Sequence, residues 1–242
     1  IYNIYYIYYI YYIYYIYNIY YIYYIYNMFG NCDSEINGEK DFYNKIKKNI
    51  NIIFDVGCRK DTIFTNFPGE VHYFDPVPEF INELKNLPNN NKISYYNSVG
   101  LGDITTQLIY HTNCQSFHDR KLNMYCKDRP QLLNIVKGCE YFKKYKLKCI
   151  DFLKIDTEGF ELNVLKGFEE QIKNIKIIQF EYGQIDTNIK LIDIINYLKK
   201  YGFEKFSFLD KNNIVTINDF KEPSFCNIVC FNKKYNNIIY TN

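Results

Sequence analysis

The stretch Ile150 to Phe168, IDFLKIDTEGFELNVLKGF, brings Asp156, Glu158 and Glu161 together within six residues around Gly159. A mostly apolar run, Ile150 to Ile155, precedes these acids, and Leu162, Leu165 and Phe168 follow at helical spacing. A buried strand that ends in acids and turns into a helix is how open α/β sheets build sites, because ligands sit beyond the carboxyl ends of the strands. Carboxylates in that place can orient an acceptor, take its proton or bind a divalent cation through oxygen. Asp156, at the mouth of the strand, is the first candidate, with Glu158 beside it. Glu161 lies one helical turn further and either shares the site or stabilises the first turn of the helix. Glu181 closes a second apolar run, IKIIQFE.

A second group of residues suits a cofactor. Asn51 to Val56 reads as a buried strand, and Asp55-Val56-Gly57-Cys58 ends it with a glycine through which backbone can approach a ligand. The further glycines of a dinucleotide fingerprint are missing, which argues against NAD and an oxidoreductase. An acid beside strand one suits S-adenosylmethionine better, since that ligand brings a sulfonium and an amino-acid head group and no phosphate. Asp75 ends the next strand, VHYFD, 20 residues after Asp55, the spacing at which an acid meets ribose hydroxyls.

These groups must be held by alternating elements. Strands are expected at 51–56, 71–75, 92–99, 150–155, 175–181, 203–210 and 225–231, with an edge strand or hairpin arm at 105–111. Helices are expected from Asp61 onward with Asp61 as N-cap, over 78–87, after 161 and over 188–201. The stretch 112–139 lacks a period and reads as a long loop, and the lysines at 143, 144, 146 and 148 read as a solvated face. Such alternation implies a mostly parallel sheet with helices on both faces and an antiparallel C-terminal hairpin. His72 is expected to pack within the sheet.

The 242 residues suffice for one α/β domain, and 29 basic against 27 acidic residues leave a net charge of +2. That balance does not favour a nucleic-acid partner. None of the eight cysteines forms a CxxC pair, so reduced thiols in a cytoplasmic protein are expected. Residues 1–27 are nine Ile-Tyr-Tyr triplets with Asn replacing the third Tyr in three of them. A period of three suits neither an amphipathic helix nor a half-buried strand. It reads as a translated A/T-rich repeat, with Met28 as the expected start; a membrane anchor is the alternative. Residues 28–48 read as a polar leader with a short helix over 40–48, and 49–242 as the domain.

The segments FDVGCRKDTIF (54–64), VHYFDPVPEFINELK (71–85), NSVGLGD (97–103), CQSFHDR (114–120), IDFLKIDTEGFELNVLKGF (150–168) and IIQFEYG (177–183), in that order, resemble the FkbM-type methyltransferases. The chain departs from that pattern at Asp61, where the family has a glycine, and at Gly138-Cys139-Glu140. The resemblance implies a Rossmann-like class I methyltransferase fold over 49–242. It also implies S-adenosyl-L-methionine as cofactor, bound by Asp55, Gly57, Cys58, Asp75, Ser98 and Val99. Asp156, Glu158 and His118 are then the catalytic candidates, and Glu181 and Glu161 the candidates for binding a sugar or glycoconjugate hydroxyl. A divalent metal and an inactive binding module both remain open readings.

Overall fold

The computed structural model of the protein describes residues 34, 37–112, 117, 129–183, 189–210, 213–216 and 225–235. Residues 1–27 and His118 lie outside these. In chain order the elements are α1 (Glu39–Ile46), β1 (Ile52–Val56), β2 (Glu70–Phe74), α2 (Pro78–Lys85), β3 (Ile93–Asn97), β4 (Gly100–Gly102), β5 (Thr106–Tyr110), β6 (Gln131–Lys137), α3 (Gly138–Lys144), β7 (Ile150–Ile155), α4 (Glu161–Gly167), β8 (Ile175–Gly183), α5 (Leu191–Lys200), β9 (Phe203–Asp210), β10 (Asn213–Thr216) and β11 (Phe225–Asn232).

Eight strands form one sheet in the order β10-β9-β11-β8-β7-β1-β2-β3. The run from β8 to β3 is parallel, and β11 is antiparallel to both of its neighbours, β8 and β9. This is the Rossmann-like class I methyltransferase arrangement: a mostly parallel sheet whose antiparallel strand is inserted before the edge. The tight C-terminal hairpin is β9 with β10. A three-stranded sheet, β4-β6-β5, stands beside the first.

Period-two alternation gives the sheet two apolar faces. On one, Phe54, Val56, Phe74, Leu153, Ile155, Ile178 and Phe180 pack with α3, α4 and α5. On the other, Ile53, Val71, Phe152 and Ile177 pack with Phe42, Tyr43 and Ile46 of α1. The Phe42 ring meets those of Phe152 and Phe231 edge-on at 5.9 and 6.2 Å. Residues 39–46, within the segment read as a leader, therefore contribute to the core.

Three other expectations change. No helix forms after Asp61; successive turns run from Arg59 to Phe67, because Phe64 and Phe67 both turn inward and Pro68-Gly69 ends the segment at β2. Part of the expected loop at 112–139 is a strand, β6, in which Leu133 and Ile135 are buried while Leu132 and Asn134 face outward. The lysines at 143, 144, 146 and 148 are exposed, as expected, and the first two end α3, whose Tyr141 and Phe142 reach the core. The Asn97–Gly102 region divides between the sheets, β3 ending at Asn97 and β4 opening at Gly100.

His72 is fully buried, as expected, between the Glu70 carboxylate at 2.6 Å and the Tyr141 hydroxyl at 2.8 Å, with Tyr95 stacked on its ring. Burial lowers its pKa from 6.5, with Glu70 opposing in part. The folded state thus binds fewer protons there than the unfolded chain, so this contribution is intact above pH 6.5 and lost as the pH falls below it. Denaturant titrations from pH 7.5 to about pH 5 should show stability falling in the wild type and a shallower slope in His72→Gln.

Candidate active site

Strand register creates the site. Phe74, Val56, Ile155 and Phe180 are cross-strand partners in one row of the sheet. The residues that follow them are Asp75, Gly57, Asp156 and Glu181, which therefore meet along the carboxyl edge. Two residues earlier, on the same face, lies the row Tyr73, Asp55, Lys154 and Gln179. Read along each strand, this face passes from apolar to ionisable: Ile53 to Asp55, Phe152 to Lys154 to Asp156, Ile177 to Gln179 to Glu181. Alpha-1 covers it, apolar over the apolar end and with Glu39 over the polar end.

The resulting cleft has a volume of about 500 Å³. Of the residues expected in the site, Asp55, Gly57, Cys58, Asp75, Asp156, Glu158 and Glu181 line it. Ser98 and Val99 do not; Gly100 and Leu101, just beyond them, do. Val99 instead packs against the core. His118 falls outside the described residues, next to Phe117, which lines the cleft.

Gly57 has φ +82°, and a side chain there would begin 1.7 Å from the Asp156 carbonyl oxygen. Its N–H and that of Cys58 both donate to the Phe74 carbonyl, at 2.9 and 3.1 Å, while Asp156 N–H donates to Val56 O at 2.9 Å. The turns after β1 and β7 are thus fastened against each other. Asp55 is buried; its Oδ2 accepts from the Thr62 hydroxyl at 2.6 Å, and its Oδ1 has no hydrogen-bond partner among the described residues. Burial pushes its pKa up to about 6, against the pull of Lys154 and Thr62. Asp75 accepts from Val77 N–H at 2.8 Å. Burial raises its pKa to about 7, opposed by that hydrogen bond and by Arg59. The Cys58 thiol is pushed far up by burial and by the charges of Asp55 and Asp75, which leaves it inert as a nucleophile.

Lys154 sits at the floor, its Nζ 3.2 Å from Asp156 Oδ2 and 3.8 Å from Glu39 Oε1. Glu39 is held in turn by the side-chain amides of Gln179 and Asn37. Burial works against the Lys154 charge, but Glu39, Asp156, Asp55 and Glu181 together outweigh it, so the ammonium persists. Sequence reading missed Lys154, Glu39 and Thr62. Period two exposed the first: Lys154 shares the parity of Asp156 within an otherwise apolar strand.

Carboxylate oxygens of Asp156, Glu158 and Glu181 lie within 4.8 Å of one another, an oxygen set that could hold a divalent cation. Burial, then the charges of Asp156 and Glu158, push Glu181 well above the usual carboxylate range. Glu158 is left-handed, at φ +54°, and Gly159 follows at +98°. A non-glycine residue there is strained and needs support. Glu161 supplies it: its buried Oε1 accepts from Thr157 N–H (3.1 Å), Thr157 Oγ1 (3.0 Å) and Gly159 N–H (2.9 Å). Glu161 does not line the cleft. Its geometry suits clamping the acidic turn rather than touching an acceptor. Glu161→Gln should cost about 1–3 kcal/mol in denaturant unfolding, as a charged acceptor of three hydrogen bonds becomes a neutral one.

No curated protein sequence matches the chain. Among solved structures, a TehB-like SAM-dependent methyltransferase from Corynebacterium glutamicum is similar at 12% identity and TM-score 0.45, over 82% of this chain and 89% of that one. A putative rRNA methylase from Clostridium thermocellum is similar at 14% identity and TM-score 0.42, over 81% and 95% of the two chains. The tRNA (m1A58) methyltransferase TrmI from Aquifex aeolicus is similar at 10% identity and TM-score 0.39, over 84% and 71%. The family model of the methyltransferase FkbM domain matches residues 62–205, more than half of the chain. With its sheet order and its acidic turns, the chain belongs to the FkbM methyltransferase family, and its cofactor is S-adenosylmethionine.

Proposed function

We propose that the protein is an O-methyltransferase acting on a small hydroxylated acceptor such as a sugar or glycoconjugate. The observation that carries this reading is the contact of Gly57 with the Asp156 carbonyl, which leaves no room for even a methyl group between the cofactor turn and the acidic turn. In-line transfer needs acceptor oxygen and methyl carbon in near contact, and this packing brings the two binding regions that close.

The residues fit the cofactor. Asp55 offers a buried carboxylate oxygen, without a partner among the described residues, to a cationic head group, and Asp75 lines the cleft at the spacing that suits ribose hydroxyls. When bound, S-adenosylmethionine supplies a methyl group activated by its sulfonium. Asp156 and Glu158 then orient the acceptor hydroxyl and receive its proton as the oxygen–carbon bond forms. Lys154 holds Asp156 through the 3.2 Å ion pair. The many carboxylates of the cleft repel a phosphodiester backbone, which weighs against a nucleic-acid acceptor.

In assays with methyl-labelled cofactor and hydroxylated sugars, Asp156→Ala should lower transfer by about a hundredfold or more while cofactor binding persists. Full activity in that variant would exclude the assignment. Cofactor affinity should also depend on pH. Asp55 and Asp75, with pKa values of about 6 and 7, must be ionised to accept donors from the ligand. Affinity therefore weakens as the pH falls through 7 and then 6, with protons released on binding. Calorimetry between pH 5.5 and about pH 8 should show this rise, and Asp75→Asn should flatten its upper part.

A further inference from the structure

One buried side-chain oxygen among the described residues lacks a hydrogen-bond partner, and it belongs to the cofactor turn. Asp55 is 1 % exposed and lines the cleft. Its Oδ2 is taken by the Thr62 hydroxyl at 2.6 Å, a length typical of a hydrogen bond to an ionised carboxylate. Its Oδ1 is left over. A buried carboxylate oxygen without a donor is costly, so this one marks a place for a donor that the described residues do not supply. Lys154 attracts Asp55 by charge, but its ammonium lies against Asp156 and Glu39.

Thr62 decides which oxygen stays open. No helix begins at Asp61, so turns place this residue: its N–H donates to the Arg59 carbonyl at 3.0 Å, and Phe64 N–H donates to its hydroxyl oxygen at 3.4 Å. Phe64 is anchored in turn, its ring edge-on to those of Tyr43 and Phe152 at 5.2 and 5.9 Å. An ionised carboxylate only accepts, so the single hydroxyl hydrogen goes to Asp55. The branched threonine side chain is stiff about χ1, and it fixes the Asp55 carboxylate with it. Burial raises the Asp55 pKa to about 6, and Lys154 and Thr62 both oppose that rise, so the same hydrogen bond helps to keep the carboxylate charged.

We propose that Thr62 is a positioning residue for the cofactor: its hydroxyl holds Asp55 so that Oδ1 accepts the ammonium of the S-adenosylmethionine amino-acid group. This rests on the cofactor assignment above and adds the residue that orients its acidic partner.

Calorimetry on the full chain at about pH 8, where Asp55 is ionised, separates this role from a structural one. The ligands are S-adenosylhomocysteine, its deaminated analogue with hydrogen in place of the amino group, and 5′-methylthioadenosine. The last two carry no ammonium. Thr62→Val keeps the side-chain shape and removes the hydroxyl. It should weaken S-adenosylhomocysteine binding about tenfold or more and leave the other two ligands within about twofold. Thr62→Ala should show the same split, and Thr62→Ser should restore most of the lost affinity. Equal weakening of all three ligands by Val and Ala overturns the proposal, because the hydroxyl then only supports the turn. Unchanged binding of S-adenosylhomocysteine overturns it too, because Oδ1 is then satisfied by water alone. Failure of S-adenosylhomocysteine to bind the wild type is a separate result, which overturns the cofactor assignment and this proposal with it.

Discussion

One buried ammonium holds the polar end of the sheet together. Lys154 lies among Glu39, Asp55, Asp156 and Glu181, which enter from α1, β1, the turn after β7 and β8. Removing one partner of a buried ion pair leaves an uncompensated charge, and here several carboxylates would be left facing one another. Burial is the main cause of the upward shifts of Asp55 and Glu181, and the attraction of Lys154 opposes it only in part.

The second constraint is parity. Each central strand spends its first residues on the apolar core and its last two alternate positions on chemistry. Phe152, Lys154 and Asp156 lie on one face, and Leu153 and Ile155 on the other. A shift of one residue in β7 would bury Asp156 among phenylalanines and present Leu153 to the cleft. The core and the site are therefore specified by the same register, and the apolar contacts of α1 with Ile53, Phe152 and Ile177 fix the height at which Glu39 reaches Lys154.

Much of this was legible in the sequence. Apolar runs ending in Asp55, Asp75, Asp156 and Glu181 marked the strands and their chemical ends, because periodicity and a terminal acid are local signals. What was missed depended on contacts distant in sequence. Glu39 belongs to a short polar helix whose importance lies in Lys154, more than a hundred residues away. Glu161 looked like any acid in the first turn of a helix; only the fold of 157–159 shows where its oxygen goes. Beta-6 was obscured by the irregular stretch before it, although Leu133 and Ile135 alternate correctly. The turns after Asp61 replaced a helix because two phenylalanines at 64 and 67 found the core from a non-helical backbone.

Beta-11 separates β8 from β9, although it follows both in the chain. Its Asn227 and Val229 pair with Glu181 and Gln179, and Gln179 is the residue that holds Glu39. On the ribosome, the sheet therefore cannot be completed in step with synthesis. The strands from β1 to β8 can pair as they emerge, but β8 keeps an open edge until residues near 230 arrive. A chain interrupted before β11 would carry every residue that lines the cleft and still leave β8 as an open edge.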